Sequence, residues 1–163
     1  MITKTMEKAI NDQINKELYS AFLYLAMAQS MEQMNFKGAA SWLFKQYREE
    51  LTHAEKFIKY LNEMSAHVEL EAIEKPKTEW ASMLEAFKGA YEHEKFVTDR
   101  IHKLMQLAVS EEDYPTQNML QWFVKEQIEE EEQTLYISNL LEMVKEQTPG
   151  LLQIDHMLEK RED

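Results

Sequence analysis

Four stretches of this chain carry apolar residues at alternating spacings of three and four, and each interrupts its own stripe with an acid near the middle. The stripes read Ile10, Ile14, Glu17, Ala21, Tyr24, Ala28; Leu43, Tyr47, Glu50, Ala54, Phe57, Leu61; Phe87, Ala90, Glu94, Val97, Ile101, Leu104, Ala108; and Leu120, Phe123, Gln127, Glu130, Thr134, Ile137, Leu141. This spacing puts the members of a stripe on one helical face. Those faces must be buried against one another, which predicts an all-α fold with four long helices closed into a bundle. An unpaired carboxylate in that interior costs several kcal/mol or more, so it takes up a proton or finds a cation.

The connections set the topology. The first helix is expected over about 5–34, ended by Asn35-Phe36-Lys37-Gly38 with Gly38 as its C-terminal glycine, and the second from about Ala40 into the sixties. So short a break makes the first two helices an antiparallel hairpin. Between Ser65 and Thr78 the helical pattern fades and Pro76 appears. About 13 extended residues at roughly 3.3 Å each span about 43 Å, the length of a helix of about 28 residues. That connection crosses the whole bundle and makes the second and third helices parallel. Thr78 is the expected N-cap of a third helix over about 80–109. Pro115 suits the first turn of a fourth helix over about 115–147, and Thr148-Pro149-Gly150 is read as its stop. A short fifth helix over about 151–161 follows, with Leu151, Leu152, Ile154, Met157 and Leu158 apolar. Because four helices already close the bundle, its apolar face is expected at a subunit interface. Residues 1–163 are read as a single domain, with the four-helix bundle over about 5–147.

Composition narrows the partners. A chain of 163 residues with three glycines and three prolines is helix-prone, and the absence of cysteine excludes disulfides and thiolate metal sites. With 18 basic and 30 acidic residues the formal net charge is −12, which argues against nucleic acid or an anionic membrane and is compatible with attracting cations. Met1 to Met6 lacks the apolar core of a signal peptide and no run of apolar residues is long enough to span a bilayer, so the expected location is cytoplasmic.

Because the four stripes face one another, Glu17, Glu50, Glu94 and Glu130 converge on one layer, and no stripe supplies a Lys or Arg to neutralise them. His53, one turn after Glu50, adds an imidazole on nearly the same side. Oxygen donors with one imidazole, and Glu50 able to bridge, suit two iron ions; structural zinc favours more Cys and His, and calcium does not take the histidine. Glu49, Glu126 and Glu129 flank the central acids and offer a second layer for a third ion, whereas Glu131 and Glu132 read as a solvated acidic face. Tyr24, seven residues after Glu17, points at the cluster either as a core phenol hydrogen-bonded to a carboxylate or as an electron donor. Trp122 and the methionines between Met27 and Met34 read as packing, and His67, His93, His102 and His156 as surface or packing histidines.

These motifs, namely Glu17 with Tyr24, Glu49-Glu50-x-x-His53, Glu94, and Glu126-Gln127-x-Glu129-Glu130, resemble those of the prokaryotic non-haem ferritins over essentially the whole chain. The resemblance implies a ferritin-like bundle and a di-iron ferroxidase centre, with Glu17, Glu50 and His53 on one iron, Glu50, Glu94 and Glu130 on the other, and Gln127 close by. It also implies a third iron site at Glu49, Glu126, Glu129 and Glu130, and Fe(II) oxidation by O2 or H2O2. Storage would be as a ferric mineral inside a homo-oligomeric shell of 24 subunits, whose short last helix lines the fourfold axes. Bacterioferritins carry a second Glu-x-x-His where this chain has Gln127-x-x-Glu130, and a haem-ligating methionine where it has Leu51, so no haem is expected. Animal ferritins line an entry channel with acids where this chain has Gln117 and Leu120, so that route does not carry over.

Overall fold

The computed structural model describes residues 2–161. Five helices follow in order: α1 Lys4–Gln33, α2 Lys37–Glu63, α3 Met83–Ser110, α4 Tyr114–Val144 and α5 Thr148–Glu159. The first four form the bundle: α1 packs on α2, α3 on α4, and α1 also on α3.

The long crossover follows α1 along its length. The Asn11 side chain donates to the His67 carbonyl at 2.9 Å and accepts from the Glu69 amide at 2.8 Å, and Asn15 donates to the Ala72 carbonyl at 3.1 Å. At the far end the Trp80 amide donates to Ser30 Oγ at 3.4 Å. These side chains satisfy backbone groups that have no helical partner. They lead the chain from the start of α1 to its end, so α2 and α3 are parallel, as the length of the linker required.

Several boundaries differ from the sequence reading. Gly38 does not end α1; it lies in the first turn of α2, and the left-handed corner is taken by Asn35 at φ 64°. Asparagine tolerates that region through its short polar side chain. Thr78 does not cap α3; Ser82 does, accepting from the Glu85 amide at 3.1 Å, while the Glu85 carboxylate accepts from the Ala81 amide at 2.5 Å. This is a Ser-x-x-Glu cap in which the carboxylate reaches back to the amide one residue before the N-cap, so the serine and the glutamate each satisfy a donor at the helix start. Thr148-Pro149-Gly150 likewise opens α5 instead of only stopping α4. The reversal is made by left-handed Lys145 and Glu146, and Pro149 sits in a first turn, where its missing N–H costs nothing.

The fifth helix does not wait for a second subunit to bury its face. Leu151, Ile154 and Leu158 are buried against the same chain, while Leu152 and Met157 remain exposed. The Asp155 carboxylate accepts from the Ala39 amide at 2.8 Å, capping the start of α2 from the side. A Cβ on Gly38 would lie 1.8 Å from the Asp155 carbonyl oxygen. Gly38→Ala should gain about 1 kcal/mol in helix propensity. Relieving a backbone collision costs about 1–3 kcal/mol, so net destabilisation with loosening of α5 is expected. Thermal unfolding of the metal-free variant at or above the parent's Tm would contradict this docking.

The apolar interior is divided. One cluster gathers Met27, Met31, Leu43, Phe87, Ile137 and Leu141 with the α5 residues; the other gathers Met6, Ile10, Phe57, Leu61, Ile101, Leu120 and Phe123. Between them lies a layer of buried polar side chains.

Candidate metal centre

Each helix delivers its acid to that middle layer because the stripe continues on both sides of it, so packing above and below fixes the depth of the carboxylate. Glu17, Glu50 and Glu94 are each 1% exposed, His53 is 2%, and Gln127 and Glu130 are 3%. Oxygen atoms of Glu17 and Glu50 and a ring nitrogen of His53 lie within 4.8 Å of one another, and a second such group joins His53, Glu126 and Glu130. Glu94 belongs to neither. One of its oxygens accepts a short hydrogen bond from Tyr24, and the other accepts from Gln127 Nε2 at 3.1 Å. Of the flanking acids, Glu126 faces His53 Nε2 at 3.8 Å, Glu49 accepts from Arg161, and Glu129 is exposed.

Two buried glutamines complete the layer, and both escaped the stripe reading. Gln13 Nε2 donates to Glu17 Oε1 at 2.8 Å, and Gln46 Nε2 donates to Glu130 Oε2 at 2.6 Å. They were visible in principle. Gln13 lies four residues before Glu17 and Gln46 four before Glu50, at positions a helical face shares with its acid. Glu17 Oε2 and Glu50 Oε2 still have no hydrogen-bond partner; His53 Nδ1 lies 3.4 Å from the latter as an ion-pair contact without hydrogen-bond geometry. Bare, buried carboxylate oxygens beside an imidazole are what a cation would complete.

The electrostatics agree. Burial pushes Glu17 up and Glu50 far above the usual carboxylate range. Burial raises Glu94 to about 7, and burial followed by the neighbouring Glu94 charge raises Glu130 to about 8. Burial alone would depress His53, but the facing Glu50, with Glu126 and Glu17, outweighs it and lifts the imidazole to about 12. Without metal, the layer holds itself together with protons.

Around the centre, Trp122 stands edge-on to His53 with centroids 5.5 Å apart and takes Lys56 over its face at 3.8 Å, while Phe57 and Phe123 stack at 4.0 Å. Those contacts are packing. His93 is half-buried with Nε2 2.7 Å from Ser20 Oγ, and loss of solvent lowers it to about 4. Met27 and Met31 are core. Leu120 is fully buried in the core and cannot line a channel.

A family model described as a ferritin-like domain matches residues 7–144. The bacterial non-haem ferritin of Campylobacter jejuni is 40% identical over 158 residues, covering 97% of this chain and 95% of that one. A bacterial non-haem ferritin of Staphylococcus aureus is 38% identical over 131 residues, covering 80% of this chain and 79% of its own. Among solved structures, the open-pore ferritin of Archaeoglobus fulgidus superposes with a TM-score of 0.98 at 44% identity, covering 99% of this chain and 100% of that one. With its carboxylate layer, its crossover and these relatives, the chain belongs to the prokaryotic non-haem ferritins.

Proposed function

We propose that the chain stores iron by oxidising Fe(II) at this centre and passing the product to a mineral inside a homo-oligomeric shell of 24 subunits. The observation that carries the reading is the buried carboxylate layer, in which Glu17 Oε2 and Glu50 Oε2 have no hydrogen-bond partner. Four carboxylates, from Glu17, Glu50, Glu94 and Glu130, balance the charge of two Fe(II) ions once His53 has given up its proton. Glu17, Glu50 and His53 would hold one iron and Glu50, Glu94 and Glu130 the other, so Glu50 bridges. Gln127 and Tyr24 fix Glu94 by donating one hydrogen bond to each of its oxygens.

Each Fe(II) gives one electron. The pair reduces O2 to H2O2, or H2O2 to two waters, and either reduction consumes two protons. Oxidation adds two positive charges that the four carboxylates no longer match. Oxide or hydroxide from solvent makes up the difference, and the ferric product is not tightly retained. Iron is thus substrate and cargo. Glu49, Glu126 and Glu129 lie at the edge of the layer and offer a third, looser position.

Aerobic addition of Fe(II) followed by sizing should give one large particle containing far more than two irons per chain. In stopped-flow, Glu130→Ala should abolish the fast oxidation phase while the particle still assembles. A small oligomer that stops at two irons per chain, or a Glu130→Ala chain as fast as its parent, would sink the reading.

A further inference from the structure

Two arginines from outside the stripes reach the carboxylate layer, each through a buried glutamine. Arg100 Nε donates to Gln13 Oε1 at 2.8 Å, and Gln13 donates on to Glu17. On the other flank Arg161 Nη1 donates to Gln46 Oε1 at 2.6 Å, and Gln46 donates on to Glu130. An amide can face a carboxylate with either end, and the wrong end sets oxygen against oxygen. A guanidinium has only donors, so it claims the amide oxygen and leaves the NH2 for the acid. Glu17 shows the consequence: the oxygen facing Gln13 is satisfied and its other oxygen is bare.

The second flank has a further property. Arg161 follows α5, 115 residues from Gln46 in sequence, and is anchored there. Its guanidinium lies 4.5 Å from the Trp42 ring centroid, its carbonyl accepts from Lys45, and its side chain is 14% exposed. Its remaining arm, Nη2, donates to Glu49 Oε2 at 2.6 Å. One guanidinium therefore holds the amide that orients Glu130 and covers a carboxylate at the outer edge of the centre.

We propose that Arg161 is a positioning residue for the ferroxidase centre, acting on Glu130 through Gln46, and that it competes with a metal ion for Glu49. The proposal rests on the di-iron reading above. It couples the tail beyond the fifth helix to the chemistry: while the guanidinium is seated, Glu130 is aimed and Glu49 Oε2 is taken, so an outgoing ion must compete for it. When the arm swings away, Glu49 opens and Glu130 loses its guide.

The test compares the full-length parent with Arg161→Met, Gln46→Met and the double variant, by stopped-flow Fe(II) oxidation and by Co(II) titration followed in the visible spectrum. Arg161→Met is expected to slow the fast phase about 10-fold, as loss of a group that orients a metal ligand does. It should also tighten the third Co(II) by up to about 5-fold by freeing Glu49. If Arg161 acts through Gln46, the double variant oxidises iron no more slowly than Gln46→Met alone. Arg161→Met matching its parent in both readouts, or rate losses that simply multiply in the double variant, would overturn the proposal while leaving the di-iron reading intact. A parent that neither binds Co(II) nor oxidises iron would overturn both. Equal melting temperatures across the set exclude a fold effect; if Arg161→Met melts lower, Arg161→Lys, which keeps the charge but not the fork, should restore the melt and not the rate.

Discussion

Glu50→Gln should make the metal-free chain more stable and at the same time remove its fast iron oxidation. The two effects have one cause. Glu50 is buried among Glu17, Glu94 and His53, one of its oxygens has no hydrogen-bond partner, and its pKa is driven far up, first by loss of solvent. At pH 7 the folded chain must keep on this carboxyl a proton that the unfolded chain has released, and a neutral isostere removes that cost, about 1.4 kcal/mol for each pH unit above the ordinary carboxylate value. The amide cannot bridge two cations as a carboxylate does. Loss of a supporting residue around a metal already costs about 10–100-fold, and loss of the bridge is expected to cost on the order of 100-fold or more. Thermal unfolding with and without Co(II) separates the effects: the parent should melt low and rise with metal, the variant should melt higher and barely respond. A variant that melts below its parent and still oxidises iron rapidly contradicts the placement of Glu50.

The second large effect is an inverted pH dependence. Glu94 and Glu130 are raised to about 7 and about 8 from an ordinary value of 4.5, so between 4.5 and 8 the folded chain binds protons that the unfolded chain has released. Stability then falls as pH rises through that window, and His53, raised to about 12, acts in the same direction above 6.5. His93 works the other way. Its folded value is depressed from 6.5 to about 4, so its contribution is present above 6.5 and is lost as pH falls towards 4. The metal-free chain should be most stable in mildly acidic solution and lose several kcal/mol towards pH 8. Metal reverses the trend, because ligation requires those protons to leave. The rise in Tm on adding Co(II) should be large near pH 8 and small near pH 5, and calorimetry in two buffers should show proton release that shrinks as pH rises. A metal effect independent of pH across this range would count against the carboxylate layer as the binding site.

How far the sequence reached depended on the kind of signal. Glu17, Glu50, Glu94 and Glu130 were legible because a helical stripe is periodic, and a carboxylate breaks the period at a definite place. The crossover was legible because its length admits only a traverse of the bundle. Gln13 and Gln46 sat on the same faces, but a glutamine is too weak a contradiction of an apolar stripe to stand out beside Ile14 or Tyr47. Gly38, Gly150 and Pro149 were read as breakers, yet all three lie in first turns. What they answer to is crowding from Asp155 at Gly38 and from Val144 at Gly150, and the spare amides of a helix start at Pro149, and only the folded chain shows which of these applies. Arg161 had no signal at all, because its partners Glu49 and Gln46 lie more than a hundred residues away and no pattern within α5 foretells them.

The division of the interior into two apolar clusters bears on how the molecule moves. In most helical bundles the middle is the stillest part and the ends fray first. Here the apolar grip is at the two ends, while the midsection is a seam of acids that would repel one another if ionised, held by protons and by hydrogen bonds from Gln13, Gln46 and Gln127. Amide hydrogens near Glu17, Glu50, Glu94 and Glu130 are therefore expected to exchange faster in the metal-free chain than in the metal-loaded one, which hydrogen exchange with and without Co(II) would measure. On that expectation, protection gained at mid-length while both apolar ends keep theirs would mark the seam as the place where the four helices part.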